Sequence, residues 1–200
     1  MIWNGDLVPG DTVAIAEISR KFGISTISVR EAVKRLTIEG YLVSEPFKRA
    51  IVAEWNAEVI EEEYNVRLLL EVHATKLAIP LLTVKQINKL LELTDRIADF
   101  TKNKKYQELF IANLEFHGIL YSSCNNNRLF RLIETLWMET RRANGSLVHV
   151  PGHADALSAD HQELIKAIEA RDIQWGTTVI KRHVEHSLAG SLEYSRRKNK

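Results

Sequence analysis

Three histidines and one asparagine carry the strongest chemical signal in this 200-residue chain. Across 104–122, Phe110, Asn113, Leu114, His117, Leu120 and Tyr121 recur at helical spacing, which stacks Asn113 and His117 one turn apart on an inward face. His161 shares a stripe with Leu164, Ile165 and Ile168, and His183 follows Val179 and Ile180 on the apolar side of the last helix. A single inward histidine is ordinarily a hydrogen-bonded core residue, because a neutral imidazole with partners is tolerated in an apolar interior. Three imidazoles and an amide oxygen from three helices are harder to explain that way, which opens a divalent transition metal as the alternative if the three helices face one another. Imidazole suits zinc, nickel, copper or iron, zinc or nickel being the expected ion, and facing helices are a known place to build such a site.

A donor set of that kind leaves positions open, either to activate water or to hold a ligand carboxylate. Arg67, beside Leu70 and Glu71, offers a bidentate grip on such a carboxylate; its other reading is an ion pair with Glu71 or Glu63. His73, His149, His153 and His186 lack a comparable stripe and are read as surface residues or as supports just outside the ligand set. Nucleophile chemistry has little to work with. Ser122, Ser123 and Cys124 are adjacent, but no Gly-x-Ser-x-Gly elbow and no glycine-rich phosphate loop exists.

The histidines sit on a run of long helical patterns that begins after Asn56 and is expected at about 57–79, 84–99, 104–122, 126–144, 158–170 and 173–194, with Ser158 as a cap. Strand signals are missing there. Residues 56–200 therefore read as an all-α antiparallel helical bundle. The first 55 residues are different: Ala14, Ile15, Ile18 and Phe22 mark a short helix, Gly23 a turn, and Ser25 a cap for a second helix. On that second helix Val29, Ala32, Val33 and Leu36 face inward, while Ile27, Arg30 and Lys34 project outward until Gly40 stops it. Tyr41-Leu42-Val43 and Ile51-Val52-Ala53 flank the basic tip Lys48-Arg49 as a hairpin. This is the pattern of a winged helix-turn-helix whose second helix enters the major groove; the alternative is a helical hairpin with a solvated charged face.

Composition sets bounds on both readings. Net charge is +1, so a nucleic-acid footprint has to be local, and it is: Arg20, Lys21, Arg30, Lys34, Arg35, Lys48 and Arg49 fall in the first quarter. One cysteine excludes an intramolecular disulfide framework, and no apolar run has the length of a membrane helix. The expectation is a mainly α, cytoplasmic protein with no membrane partner. The tail Arg196-Arg197-Lys198-Asn199-Lys200 reads as a solvated end.

These motifs resemble the GntR-family transcriptional regulators of the FadR subfamily, the group with a helical FCD ligand-binding domain. In the first domain the resemblance lies in Gly5-x-Leu7-x-Pro9-Gly10, Phe22-Gly23-Ile24-Ser25, Val29-Arg30-Glu31-Ala32-Val33-x-x-Leu36 and Glu39-Gly40-Tyr41-Leu42-Val43. In the second it lies in Arg67-x-x-Leu70-Glu71, Asn113-x-x-Phe116-His117, His161 with Ala167-Ile168-x-x-x-Asp172, and His183. The resemblance implies a homodimer on palindromic double-stranded operator DNA and a small organic acid, commonly a carboxylate, that changes operator affinity; the regulator is read as a repressor. It implies metal ligands at Asn113, His117, His161 and His183, a pocket position at Arg67, and a DNA-contacting arginine at Arg30. The DNA-binding set expected on this basis is Ser25, Thr26, Ser28, Arg30, Lys34, Arg35, Lys48 and Arg49.

The departures are specific. Thr26 and Ser28 stand where the family usually has arginine and proline, Ala16 replaces another common arginine, and Arg49 occupies the usual wing glycine. An unusual operator, or weaker binding offset by Lys48 and Arg49, follows. Only Met1 to Asn4 precede the glycine-proline turn, where relatives carry a helix; the expectation is an upstream start or a truncated first helix that exposes part of the winged core. Asn113 stands where aspartate is usual, which predicts weaker metal and stronger anion binding. The alternative to a regulator is a metal-dependent enzyme acting on small organic acids, its first domain a remnant; a pure dimerisation module is a third.

Overall fold

Ser25 does what its position predicts: its hydroxyl accepts the Ser28 backbone N–H at 3.1 Å and opens helix α2 (Thr26–Ile38). Before it, α1 (Ile15–Phe22) ends on Gly23, whose φ of 65° admits the left-handed turn between the two helices. The computed structural model describes residues 7, 10–38, 40–44, 49–53, 56–140 and 150–198, and divides into two units, Met1–Asn56 and Ala57–Lys200.

In the first unit, strands β1 (Leu42–Val43) and β2 (Ile51–Val52) pair antiparallel with Leu42 opposite Val52. The segment 10–13 runs along the other side of β2, with Val52 N–H donating to the Asp11 carbonyl at 2.8 Å and Val13 N–H to that of Ala50 at 2.8 Å. A small core of Val13, Leu42, Ala50 and Val52 results, against which Ile18, Val33 and Leu36 pack. Val29 is buried on α2 as expected, but Ala32 is exposed. Ala32 lies at the edge of the apolar stripe, and strands only two residues long reach no further than its centre. Lys48 at the wing tip lies outside the described residues.

The second unit is a helical bundle: α3 (Ala57–Ala78), α4 (Val84–Lys102), α5 (Tyr106–Ser122), α6 (Asn127–Thr140), α7 (His153–Glu169) and α8 (Ile173–Lys198). Local chemistry sets the starts. Thr83 and Gln86 form a reciprocal capping box at α4, the Asn126 side chain accepts from Leu129 N–H at α6, and Asp172 accepts from Trp175 N–H at α8. Helix α8 lies along α3 and α7, α4 along α5 and α7, and α3 also meets α5 and α6. Their shared core includes Leu90, Leu93, Ile97, Phe116, Leu120, Ile133, Leu164 and Ile168, all essentially inaccessible, each worth about 1.5–3 kcal/mol of burial. Gly176 lets α8 approach closely, since a β-carbon there would lie 2.3 Å from Ile79 Cδ1. Arg171 donates to the carbonyls of Ile79 and Leu82 at 2.6 Å each and so satisfies acceptors left over after α3.

One expected start is displaced. Helix α7 begins at His153 after Gly152 (φ 75°), five residues before Ser158, which is buried inside the helix and caps nothing. The inward stripe already starts at His153 and Ala154, and it continues through Ser158 to His161 because serine is small enough to sit within it. No helix among the described residues is long and apolar enough to cross a membrane.

Candidate metal centre and nucleic-acid interface

Helices α5, α7 and α8 each deliver one imidazole to a common point. His117 Nε2 lies 3.1 Å from His183 Nε2 and 3.2 Å from His161 Nε2, and all three rings are at least 95% buried. Phe116 meets the His161 ring edge-on at 4.7 Å, and Tyr121 stacks on His117 at 5.5 Å, so the walls are aromatic.

Burial, then the His183 and His161 imidazoles, then the Arg67 guanidinium hold His117 well below the usual histidine range. His161 is pushed down to about 3, chiefly by burial and by His183, against the raising effects of the Leu157 carbonyl and Asp160. Both rings are therefore neutral at pH 7. His161 Nδ1 donates to the Leu157 carbonyl at 2.7 Å, so its Nε2 presents a lone pair to the centre. His117 Nδ1 is buried with no hydrogen-bond partner among the described residues. Neutral, dry, mutually facing nitrogens at hydrogen-bond range fit a divalent cation of the imidazole-binding kind: the three side chains form a group with metal-ligating spacing. Asn113 is half-buried one turn before His117 on α5.

Arg67 is buried, and its Nε donates to Glu71 Oε1 at 2.7 Å while its guanidinium lies 4.5 Å over the Tyr64 ring. The pairing with Glu71 is thus observed. Burial opposes the charged guanidinium, but Glu71 and Tyr64 outweigh it and raise Arg67 above the usual arginine value. Glu71 also accepts from Tyr121 OH at 2.8 Å and Trp137 Nε1 at 3.0 Å. Trp137 edges onto His117 at 6.0 Å, which places this knot beside the imidazoles.

The sequence leaves His153 and His186 open between the surface and a supporting position, and it does not single out Asp160. His153 is buried and held down to about 4 by burial and by His183 and His186; its ring fills the space a β-carbon on Gly190 would take. His186 donates from Nδ1 to Asp160 Oδ2 at 2.7 Å, and the same oxygen lies 3.6 Å from His183 Nδ1. Burial raises Asp160, 2% exposed, but the nearby His183 ring and the hydrogen bonds from His186 and Arg182 outweigh it and hold the carboxyl far below the carboxylate range. The one available signal was its place directly before His161.

In the first unit, Thr26, Arg30, Lys34 and Arg49 line one open groove between α2 and the hairpin, together with Ala16. Ser25, Ser28 and Arg35 are exposed but do not line it. Two cations from a helix and one from a wing on a concave face suit a phosphate backbone with α2 in the groove.

Comparison with known proteins agrees with both halves. The FCD domain matches residues 62–186, and the gntR family of bacterial regulatory proteins matches residues 1–52. The HTH-type transcriptional regulator YdhC of Bacillus subtilis is 28% identical over 138 residues, covering 67% of this chain and 60% of that protein. McbR of Escherichia coli is 28% identical over 134 residues, covering 67% and 61%. The aligned stretch thus spans about three fifths of the length of these two relatives. Among solved structures, E. coli McbR/YncC superposes with a TM-score of 0.81 at 22% identity, over 96% of this chain and 92% of that one. A metal-free FCD domain, that of TM0439, gives 0.57 at 20% identity over 70% and 96%.

Proposed function

Because the chain belongs to the gntR family of bacterial regulatory proteins and carries an FCD domain, we propose that this transcriptional regulator is a cytoplasmic, homodimeric repressor whose operator affinity is set by a metal and a small carboxylate effector. Residues 1–55 form the DNA-binding part and 56–200 the effector-binding and dimerisation part. The relatives are transcriptional regulators, which leaves the enzyme alternative without support.

The observation that carries the reading is the convergence of the three imidazoles, with His117 Nε2 at 3.1 Å from His183 Nε2 and 3.2 Å from His161 Nε2, and the three ligand atoms within 4.8 Å of one another. These rings, with the Asn113 amide, hold a divalent transition metal, zinc or nickel. Such an ion, when bound, supplies open coordination positions and positive charge to a carboxylate. An amide at 113 keeps the donor set neutral, so more of that positive charge faces the effector than a carboxylate ligand would leave. Arg67, fixed by Glu71, adds a second cation beside the imidazoles. The effector shifts operator affinity only by its differential affinity for the two arrangements of the dimer.

On DNA, Arg30 reads or grips the groove while Thr26, Lys34, Arg35 and Arg49 anchor phosphates, with Lys48, Ser25 and Ser28 completing the expected set. An electrophoretic shift with DNA upstream of the protein's own gene tests this: a specific complex weakens as salt rises, because neutralised phosphates release counterions. Arg30→Ala costs about 1–3 kcal/mol if it reads a base. Addition of organic acids dissociates the complex, and calorimetry shows acid binding only to metal-loaded protein. Undiminished acid binding after chelation refutes the metal link.

A further inference from the structure

We propose that Asp160 is a positioning residue of the metal centre, its carboxylate turning His183 so that Nδ1–H faces outward and the Nε2 lone pair faces His117 and His161. The inference rests on the metal reading above.

Three residues of α8 surround this one carboxylate of α7. Oδ1 accepts Arg182 Nε at 2.8 Å, and Oδ2 accepts His186 Nδ1 at 2.7 Å while lying 3.6 Å from His183 Nδ1. Arg182 is pinned in turn by Glu163 Oε2 at 2.6 Å, and Glu163 by Trp175 Nε1 at 2.8 Å. The carboxylate is therefore fixed from outside, and the His183 ring has to accommodate it. An ionised carboxylate only accepts, so the ring nitrogen facing it carries the proton; a neutral imidazole has one N–H, which leaves the lone pair on Nε2. At 3.6 Å the contact is longer than a hydrogen bond, so the selection is electrostatic, in a site where burial leaves charges poorly screened.

His161 receives the same tautomer by another route, from the Leu157 carbonyl at 2.7 Å. Two rings thus aim lone pairs at the point where His117 Nε2 arrives, one set by a backbone oxygen and one by Asp160. Charge gives a second reason. The donor set of three imidazoles and the Asn113 amide carries no negative charge, and Asp160 supplies one just outside it, which favours a cation held by the ring it faces. The competing account, in which Asp160 is only an α7–α8 ion pair with Arg182, predicts an effect on stability and none on the metal.

The test compares wild type, Asp160→Asn and Glu185→Gln, the last an exposed acid of α8, two residues from His183, paired only loosely with Lys181 at 3.8 Å. Zinc affinity is measured by competition with a chromogenic chelator, and cobalt(II) absorption reports ligand geometry. The expected result is about a ten- to hundredfold loss of zinc affinity in Asp160→Asn with a changed cobalt spectrum, and wild-type behaviour in Glu185→Gln. Wild-type zinc affinity and an unchanged cobalt spectrum in Asp160→Asn overturn the role of Asp160 alone. Failure of the wild type to bind zinc or cobalt overturns the metal reading and this inference with it. Nitrogen-15 shifts of His183 in the metal-free wild type provide a check that needs no variant: Nδ1–H is expected, and Nε2–H overturns the proposal.

Discussion

Glu71 and His117 share one bundle interior, and Tyr121 touches both, yet the polar groups around them are arranged in opposite ways. Glu71 is 1% exposed and surrounded by donors: Arg67, Tyr121 and Trp137 all point at it, at 2.7, 2.8 and 3.0 Å. His117 is 4% exposed and surrounded by acceptors, or by nothing: two imidazole nitrogens face its Nε2, and its Nδ1 has no partner among the described residues. A closed set of hydrogen bonds is sufficient in itself. An open set of converging imidazole nitrogens is the arrangement that the proposed cation would complete. The contrast separates scaffold from site within a few ångströms, where burial alone treats the two alike.

Breaking the closed set should have the largest effect. Glu71→Ala leaves the Arg67 guanidinium buried without its carboxylate, and the expected loss is about 3–5 kcal/mol in chemical denaturation of the metal-free protein. A loss under about 1 kcal/mol would mean that Arg67 finds other acceptors and that the knot is not closed by Glu71.

Breaking the open set acts only through what it binds. At zinc concentrations about 100 times the dissociation constant, wild type gains about 2.7 kcal/mol of stability, and His161→Ala gains nothing measurable. Thermal unfolding with and without zinc reads this directly. An equal gain in both proteins would place the zinc elsewhere.

Acid sharpens the contrast without mutation. In the folded, metal-free protein His161 titrates at about 3 and His153 at about 4, whereas in the unfolded chain both titrate near ~6.5. Between those values the unfolded state binds more protons, so stability rises with pH and is lost as pH falls below about 6.5. The slope reaches about 1.4 kcal/mol per pH unit for each imidazole. Denaturation midpoints between pH 7.5 and 5 should fall accordingly; a flat profile would mean that the rings are wet or already partnered.

How much of this was legible beforehand follows from the range of each interaction. The Ser25 cap, the Gly23 turn and the imidazole stripes are set by residues within a turn or two, and their spacing is written in the chain. His153 and Asp160 depend on where α8 passes: the first on the bare backbone of Gly190, the second on Arg182 and His186 arriving from another helix. No local period announces either. Ser158 misled for the opposite reason, since a good cap residue is also small enough to be buried in mid-helix, and the φ of 75° at Gly152 that starts α7 leaves no side-chain signal. For Arg67 the sequence offers Glu63 and Glu71, both one turn away; that Glu71 also gathers Tyr121 from α5 and Trp137 from α6 depends on helices distant in the chain.

The smallest expected effect falls on the residue that belongs to both sets. Tyr121→Phe removes one of three donors to Glu71 but keeps the ring that stacks on His117. If the closed set is as redundant as its three donors suggest, the cost is about 1 kcal/mol, the net worth of one hydrogen bond. Zinc affinity should not move, because the packing against His117 is unchanged and no ligand nitrogen loses a partner. A loss of zinc affinity beyond about threefold, with stability nearly intact, would show that the hydroxyl serves the imidazoles through Glu71, since threefold is only about 0.65 kcal/mol and lies near the noise of such a comparison. The knot and the metal centre would then be one network, and the boundary between scaffold and site would have to be drawn outside Glu71.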